Sequence, residues 1–132
     1  MPTLRIGYFE EFKSNTLLSE ADADGLRALA ELFRSLAAGT LDNLAPLPFV
    51  EPHHRVLLTA TRSALDLVTR RAHPGRSFLW EGTADGWLDA AEKLDVLTQC
   101  EEGHHYLAGD EDQIVVQVSK GEYGDDWWRR YG

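Results

Sequence analysis

The side chains that could do chemistry are few and poorly grouped. Two adjacent histidine pairs, His53-His54 and His104-His105, stand in a chain whose only thiol is Cys100. Cys100, His104 and His105 form a C-x3-H-H cluster of ligand types that suit zinc, copper or nickel. A structural zinc site asks for two tight ligand pairs, and adjacent residues on a strand point to opposite faces. At most one histidine of each pair can reach a common centre, so the spacing predicts no metal. Cys100 is equally poorly placed as a nucleophile. A thiolate needs positive charge or a helix N-terminus, whereas Cys100 closes a helical pattern beside Glu101 and Glu102. Glu81 beside Trp80 is a carboxylate in an apolar setting, the setting of a general acid. A small-ligand enzyme would place its site there, around Trp80, Glu81 and His105. The turn from Glu81 to Gly86 leads into a helix but lacks the lysine of a phosphate loop, and Glu81 and Asp85 would repel an anion. Asp110-Glu111-Asp112 starts like a calcium loop, but Ile114 and Val115 stand where ligands and glycine should follow. No G-x-S-x-G, H-E-x-x-H or G-x-G-x-x-G occurs.

Charge is more informative. Over 132 residues, 13 Lys and Arg face 22 Asp and Glu, a formal charge of -9. Residues 1–51 are net -4, residues 52–76 are net +4 through Arg55, Arg62, Arg70, Arg71 and Arg76, and residues 77–126 are net -11. An acidic chain repels the phosphate backbone, which excludes general nucleic-acid affinity. Segregated charge bears on partners and association rates. No apolar run is long enough to span a bilayer, and no signal-peptide pattern opens the chain. With a single cysteine, these features predict a cytoplasmic protein of one domain.

The elements follow from periodicity. Thr3–Phe9 alternates as a strand, and residues 10–18 read as a polar connection. Ser19-Glu20-Ala21-Asp22 has the form of a capping box, with Asp24 a second candidate cap. Leu26, Leu29, Ala30, Phe33, Leu36 and Ala37 make one helical stripe that Gly39 ends. Pro46, Pro48 and Pro52 mark residues 40–52 as an ordered loop. Arg55–Thr61 and Leu65–Arg70 read as strands joined in a hairpin, the second with a short helix as its alternative. His73-Pro74-Gly75-Arg76 is a turn, and Ser77–Glu81 a strand. Thr83 caps a second helix whose stripe is Trp87, Leu88, Ala91, Leu94 and Leu97. His105–Ala108 and Ile114–Ser119 form a closing hairpin. Residues 121–132 are a tail with Trp127, Trp128 and Tyr131 but no clear period.

The order β-α-β-β-β-α-β-β predicts an α+β domain of two layers, a largely antiparallel sheet of five or six strands with two helices on one face. Ala23-Asp24-Gly25 and Ala84-Asp85-Gly86 open the two helices, and a histidine pair follows each. This pattern raises the alternative that the halves are copies of one β-α-β-β unit.

Ala23–Gly39, ADGLRALAELFRSLAAG, and Gly103–Tyr123, GHHYLAGDEDQIVVQVSKGEY, resemble segments of small bacterial immunity-type proteins that neutralise polymorphic or contact-dependent toxins. The resemblance covers about a third of the chain and carries over no functional residue. It implies a cytoplasmic, acidic, non-enzymatic inhibitor without cofactor. The residues themselves support a protein-binding module that meets a basic partner, and the resemblance implies that this partner is a toxin domain. Glu81, Asp85, Asp89, Glu92 and Asp95 are its candidate acidic contact, with Trp127 and Trp128 as aromatic anchors. The competing reading is a homodimeric structural or regulatory domain in which the tryptophan tail makes a self-complementary contact.

Overall fold

Two helices of equal length start in the same way. Asp22 and Thr83 are extended residues whose side chains accept the N–H of Gly25 and Gly86, at 2.7 and 3.0 Å. Each satisfies one of the amides a first helical turn leaves without a partner. In the computed structural model, which describes residues 3–9, 16–39, 42–43, 50–52, 56–64, 68–72, 77–108 and 114–131, these helices are α1 (Ala23–Ala37) and α2 (Ala84–Thr98). The expected capping box at Ser19-Glu20 is displaced, because both residues belong to a strand. Gly39 has φ +105°, as the glycine that ends α1 requires.

The remaining elements are β1 (Leu4–Phe9), β2 (Thr16–Ala21), β3 (Asp42–Asn43), β4 (Val50–Pro52), β5 (Leu57–Arg62), β6 (Val68–Ala72), β7 (Ser77–Gly82), β8 (Gly103–Ala108), β9 (Val115–Lys120) and a short helix α3 (Asp125–Tyr131). The α+β class is as expected, with more strands than the sequence suggested and two sheets in place of one. The first sheet runs β4-β1-β2-β9-β8 and the second β3-β5-β7-β6. Pairing is mixed: β1/β2, β3/β5, β6/β7 and β8/β9 are antiparallel, while β1/β4, β2/β9 and β5/β7 are parallel. The expected hairpin of β5 with β6 does not form, because β7 lies between them and pairs with both. The connection expected over residues 10–18 contains the start of β2, a central strand.

The halves are equivalent, on a different unit from the one expected. Thr16 to Ser77 and Ala37 to Thr98 are both steps of 61 residues, so one offset carries β2 and α1 onto β7 and α2. The repeating unit is β-β-α-β-β: β1, β2, α1, β3 and β5 in one half, and β6, β7, α2, β8 and β9 in the other. Each half's closing hairpin is laid on the opening hairpin of the other half. This exchange produces the parallel pairs β2/β9 and β5/β7. Matched polar contacts repeat with it. The Arg62 guanidinium donates to Ala37 O at 2.9 Å at the end of α1, and Lys120 Nζ donates to Thr98 O at 3.0 Å at the end of α2. A cation in each place answers the carbonyls a helix end leaves open.

One core joins both sheets to the two helices. At its centre Phe33 of α1, Trp80 of β7 and Trp87 of α2 are fully buried, with ring centroids 4.8 to 5.2 Å apart. Trp87 Nε1 donates to Thr61 O at 3.0 Å, which satisfies its polar end. A second, smaller cluster lies on the other face of the first sheet. There Trp128 of α3 packs on Phe9 and Leu18, flanked by Tyr123 and Trp127. No helix among the described residues is long and apolar enough to cross a membrane.

Candidate functional site

The exposed side of α2 follows from its register. Trp87, Ala90, Ala91, Leu94, Leu97 and Thr98 are buried, so positions 85, 88, 89, 92 and 96 face outward. Asp85, Asp89 and Glu92 are exposed there. Leu88, expected in the core stripe, is 48% exposed, and Val96 two turns further on is 58% exposed. The stripe is centred on Trp87 and Leu94, which turns Leu88 about 100° away from it. Two exposed apolar side chains among carboxylates are the feature that sequence reasoning missed.

Charge on this face is partly compensated. Lys93 Nζ lies 3.1 Å from Asp89, one turn away. Arg34 of α1 reaches across the helix seam to Asp95 and also holds Glu31 at 2.6 Å. Among the described residues Asp85 and Glu92 have no ion-pair partner. Arg34 divides the seam into two open depressions. One of about 410 Å3 is lined by Arg34, Asp85, Leu88, Asp89, Ala91 and Glu92. The other, of about 430 Å3, is lined by Arg27, Glu31, Arg34, Asp95, Thr98 and Gln99.

The remaining candidates are scattered. Glu81 is 8% exposed on β7, so it does not belong to the acidic surface with Asp85, Asp89 and Glu92. Trp80 and Glu81 are consecutive on a strand and diverge to opposite faces, Trp80 into the core, so they do not converge on a ligand with His105 of β8. His104 Nδ1 pairs with Glu122 at 2.9 Å, and exposed Cys100 is 3.6 Å from Val96 O. Among the described residues no group of three His, Cys, Asp or Glu is placed to hold a metal ion. His53, His54, Arg55, Arg76 and Asp110–Asp112 lie outside the described residues, as do the side chains of Arg70 and Arg71.

Trp127 and Trp128 are ordered in α3, docked on the chain's own sheet. Trp128 is 3% exposed and packs with Phe9 at 5.9 Å between centroids, and Trp127 is half-buried against Phe9 and Tyr123. Gly7 makes this approach feasible, since a Cβ there would lie 3.2 Å from the Trp128 ring.

One further group stands out. Glu20, at the exit of β2, shares the face of Leu18 and lies beneath the turn that joins β9 to α3. Burial pushes its carboxyl up to about 7, against the lowering effect of the backbone N–H groups of Gly121, Tyr123 and Glu122; the Glu122 charge adds to the rise. Its equivalent in the other half is Glu81, one offset of 61 away. A groove of about 370 Å3 beside it is lined by Arg5, Asp22, Glu101, Lys120, Tyr123 and Asp125 among others. Comparison with protein-family models, with curated proteins and with solved structures finds no match to this chain.

Proposed function

We propose that this chain is a non-enzymatic, acidic protein-binding module of the immunity kind, and that the outer face of α2 meets a basic partner such as a toxin domain. One observation carries the reading: Leu88, half-exposed, sits between Asp85 and Glu92, two exposed carboxylates without an ion-pair partner among the described residues. An apolar centre ringed by charge has the anatomy of an interface core and rim. The aliphatic stem of an incoming Arg or Lys would lie on Leu88, and its head group would meet Asp85 or Glu92. Folding does not ask for this arrangement. Asp85 is favoured by the helix start, but Asp89 one turn later repels it, and Glu92 lies too far along α2 to gain from the dipole. The scattering of Trp80, Glu81 and His105 argues against catalysis at that group.

The test is to sequence the reading frame beside this gene and, where it encodes a basic toxin domain, to measure the association rate with that domain; a neighbour of unrelated kind would count against the reading. Combined Asp85→Lys, Asp89→Lys and Glu92→Lys substitution should slow association at least tenfold at low salt and flatten its dependence on ionic strength. Unchanged kinetics would reduce the face to a solvated surface.

A further inference from the structure

The outer face of the first sheet is closed by the last eleven described residues. Leu18 and Glu20 of β2 point to this face with Arg5, Gly7 and Phe9 of β1, while Leu17, Leu4, Ile6 and Tyr8 point to the main core. Register places Arg5 directly opposite Glu20 on one side and Ser119 of β9 on the other. The turn 121–124 passes over Glu20 and delivers α3 onto Phe9 and Leu18. Gly121 takes φ +75° to make that turn, and a Cβ on it would meet Glu101 O at 2.9 Å. Arg5 clamps the start of α3 through Asp125 at 2.6 Å. A seven-residue helix has no stability of its own in water, so α3 is ordered by what it covers.

We propose that the turn and α3, residues 121–131, are a releasable cover over the outer face of the first sheet, with Glu20 as the latch that decides how firmly it closes. The carboxyl is desolvated beneath this segment, its Oε2 is buried without a hydrogen-bond partner among the described residues, and the backbone N–H groups of Gly121, Tyr123 and Glu122 offset only part of that burial. When the cover lifts, Glu20 returns to water and to its ordinary value of 4.5; when it closes, the group titrates at about 7. The closed state therefore prefers the protonated carboxyl, and ionisation favours release. Below about 4.5 both states hold the proton and the opening equilibrium is level. Between 4.5 and 7 it climbs by about tenfold per pH unit, and above 7 it levels again. From pH 5 to pH 8 the open population should rise by roughly fiftyfold to a hundredfold. Release would uncover Phe9 and Leu18, an apolar patch on an otherwise polar rim.

Several charged groups face Glu20. Arg5 is its cross-strand neighbour but is held by Asp125 and by Glu51 at 3.6 Å. Lys120 is turned to the carbonyls of Thr98 and Cys100. Asp22 is fixed as the helix cap, Glu101 lines the same groove, and Glu122 lies in the turn beside Tyr123. His104 of β8 is bound to Glu122 of the same turn, so it needs its own control.

Hydrogen exchange of the amides in 121–131, corrected for the intrinsic pH dependence of exchange, reads the cover directly. The full chain should lose protection there by roughly fiftyfold to a hundredfold between pH 5 and pH 8, while α1 and α2 amides keep theirs. Glu20→Gln should abolish the slope and hold the cover closed at pH 8, and His104→Gln should keep the slope. A native profile that is flat, a slope that survives Glu20→Gln, or one that disappears with His104→Gln would each overturn the proposal. If Glu20→Gln does not fold, the profiles of the native and His104→Gln proteins decide: a slope in both supports the latch, and its absence from either refutes it.

Discussion

Replacing Trp128 by alanine is the sharpest perturbation of the fold as described. The indole is 3% exposed and is the centre of the cluster on the outer face of the first sheet, packed on Phe9, Leu18 and the flat surface over Gly7. Truncating a buried tryptophan costs about 3–5 kcal/mol through lost transfer energy and the cavity left behind. Here the loss has a ceiling, because α3 has only seven residues and can detach. Once it detaches, further damage stops at the free energy of docking. A loss of about 3 kcal/mol in a domain of this size lowers Tm by roughly 10 °C. Calorimetry at fixed pH measures it, with Leu88→Ala as the comparison. Leu88 is as apolar but 48% exposed on α2, so its truncation should cost about 0.5 kcal/mol or less, near 2 °C. If Trp128→Ala melts within 2 °C of the native protein, or if Leu88→Ala falls as far, the assignment of buried and open apolar side chains is wrong.

The other predictions use the same reasoning. Gly25→Ala should destabilise by about 2 kcal/mol or more, since its Cβ would stand 2.0 Å from Thr3 O, a backbone atom; urea unfolding measures it. Asp22→Ala and Thr83→Ala should each cost about 1 kcal/mol by loss of a helix cap, and together their costs should add, because the caps share no partner. Elemental analysis of untagged protein should find no stoichiometric metal, and dialysis against a chelator should leave Tm unchanged.

What the sequence made legible was set by how many faces of each element are buried. The strand at β1, the helices α1 and α2, the Thr83 cap and the hairpin β8–β9 each show period or turn chemistry, and their positions agree with expectation to within a few residues, whereas the cap of α1 is Asp22 and not Ser19 or Asp24. β2 was missed because both its faces are covered, Leu17 by the main core and Leu18 by α3. A strand buried on both sides loses the alternation by which strands are recognised. α3 was unreadable for the opposite reason: it is about two helical turns held in place by docking, with no stripe of its own. The division into two sheets depends on parallel pairings between residues about 20 and about 100 positions apart, β5 with β7 and β2 with β9, which no local pattern encodes. The shared Ala-Asp-Gly start did announce the repeat, but its true unit was hidden by the missed strand. On the outer face of α2 the exposure of Asp85, Asp89 and Glu92 was legible from charge and spacing alone. Leu88 was lost because an apolar residue next to the stripe is indistinguishable from one within it, and Glu81 was included because a sequence shows charge without burial.

The central claim is that the acidic face of α2 exists to bind a basic protein partner. Its most direct test is co-expression of this chain with a basic toxin domain taken from the reading frame beside its gene, scored by cell survival and by mass of the purified complex. The account predicts survival and a one-to-one complex with the native chain, both lost when Asp85, Glu92 and Leu88 are replaced by lysine, lysine and serine. Cell death with the native chain, or survival and a complex unaffected by those three substitutions, would contradict it.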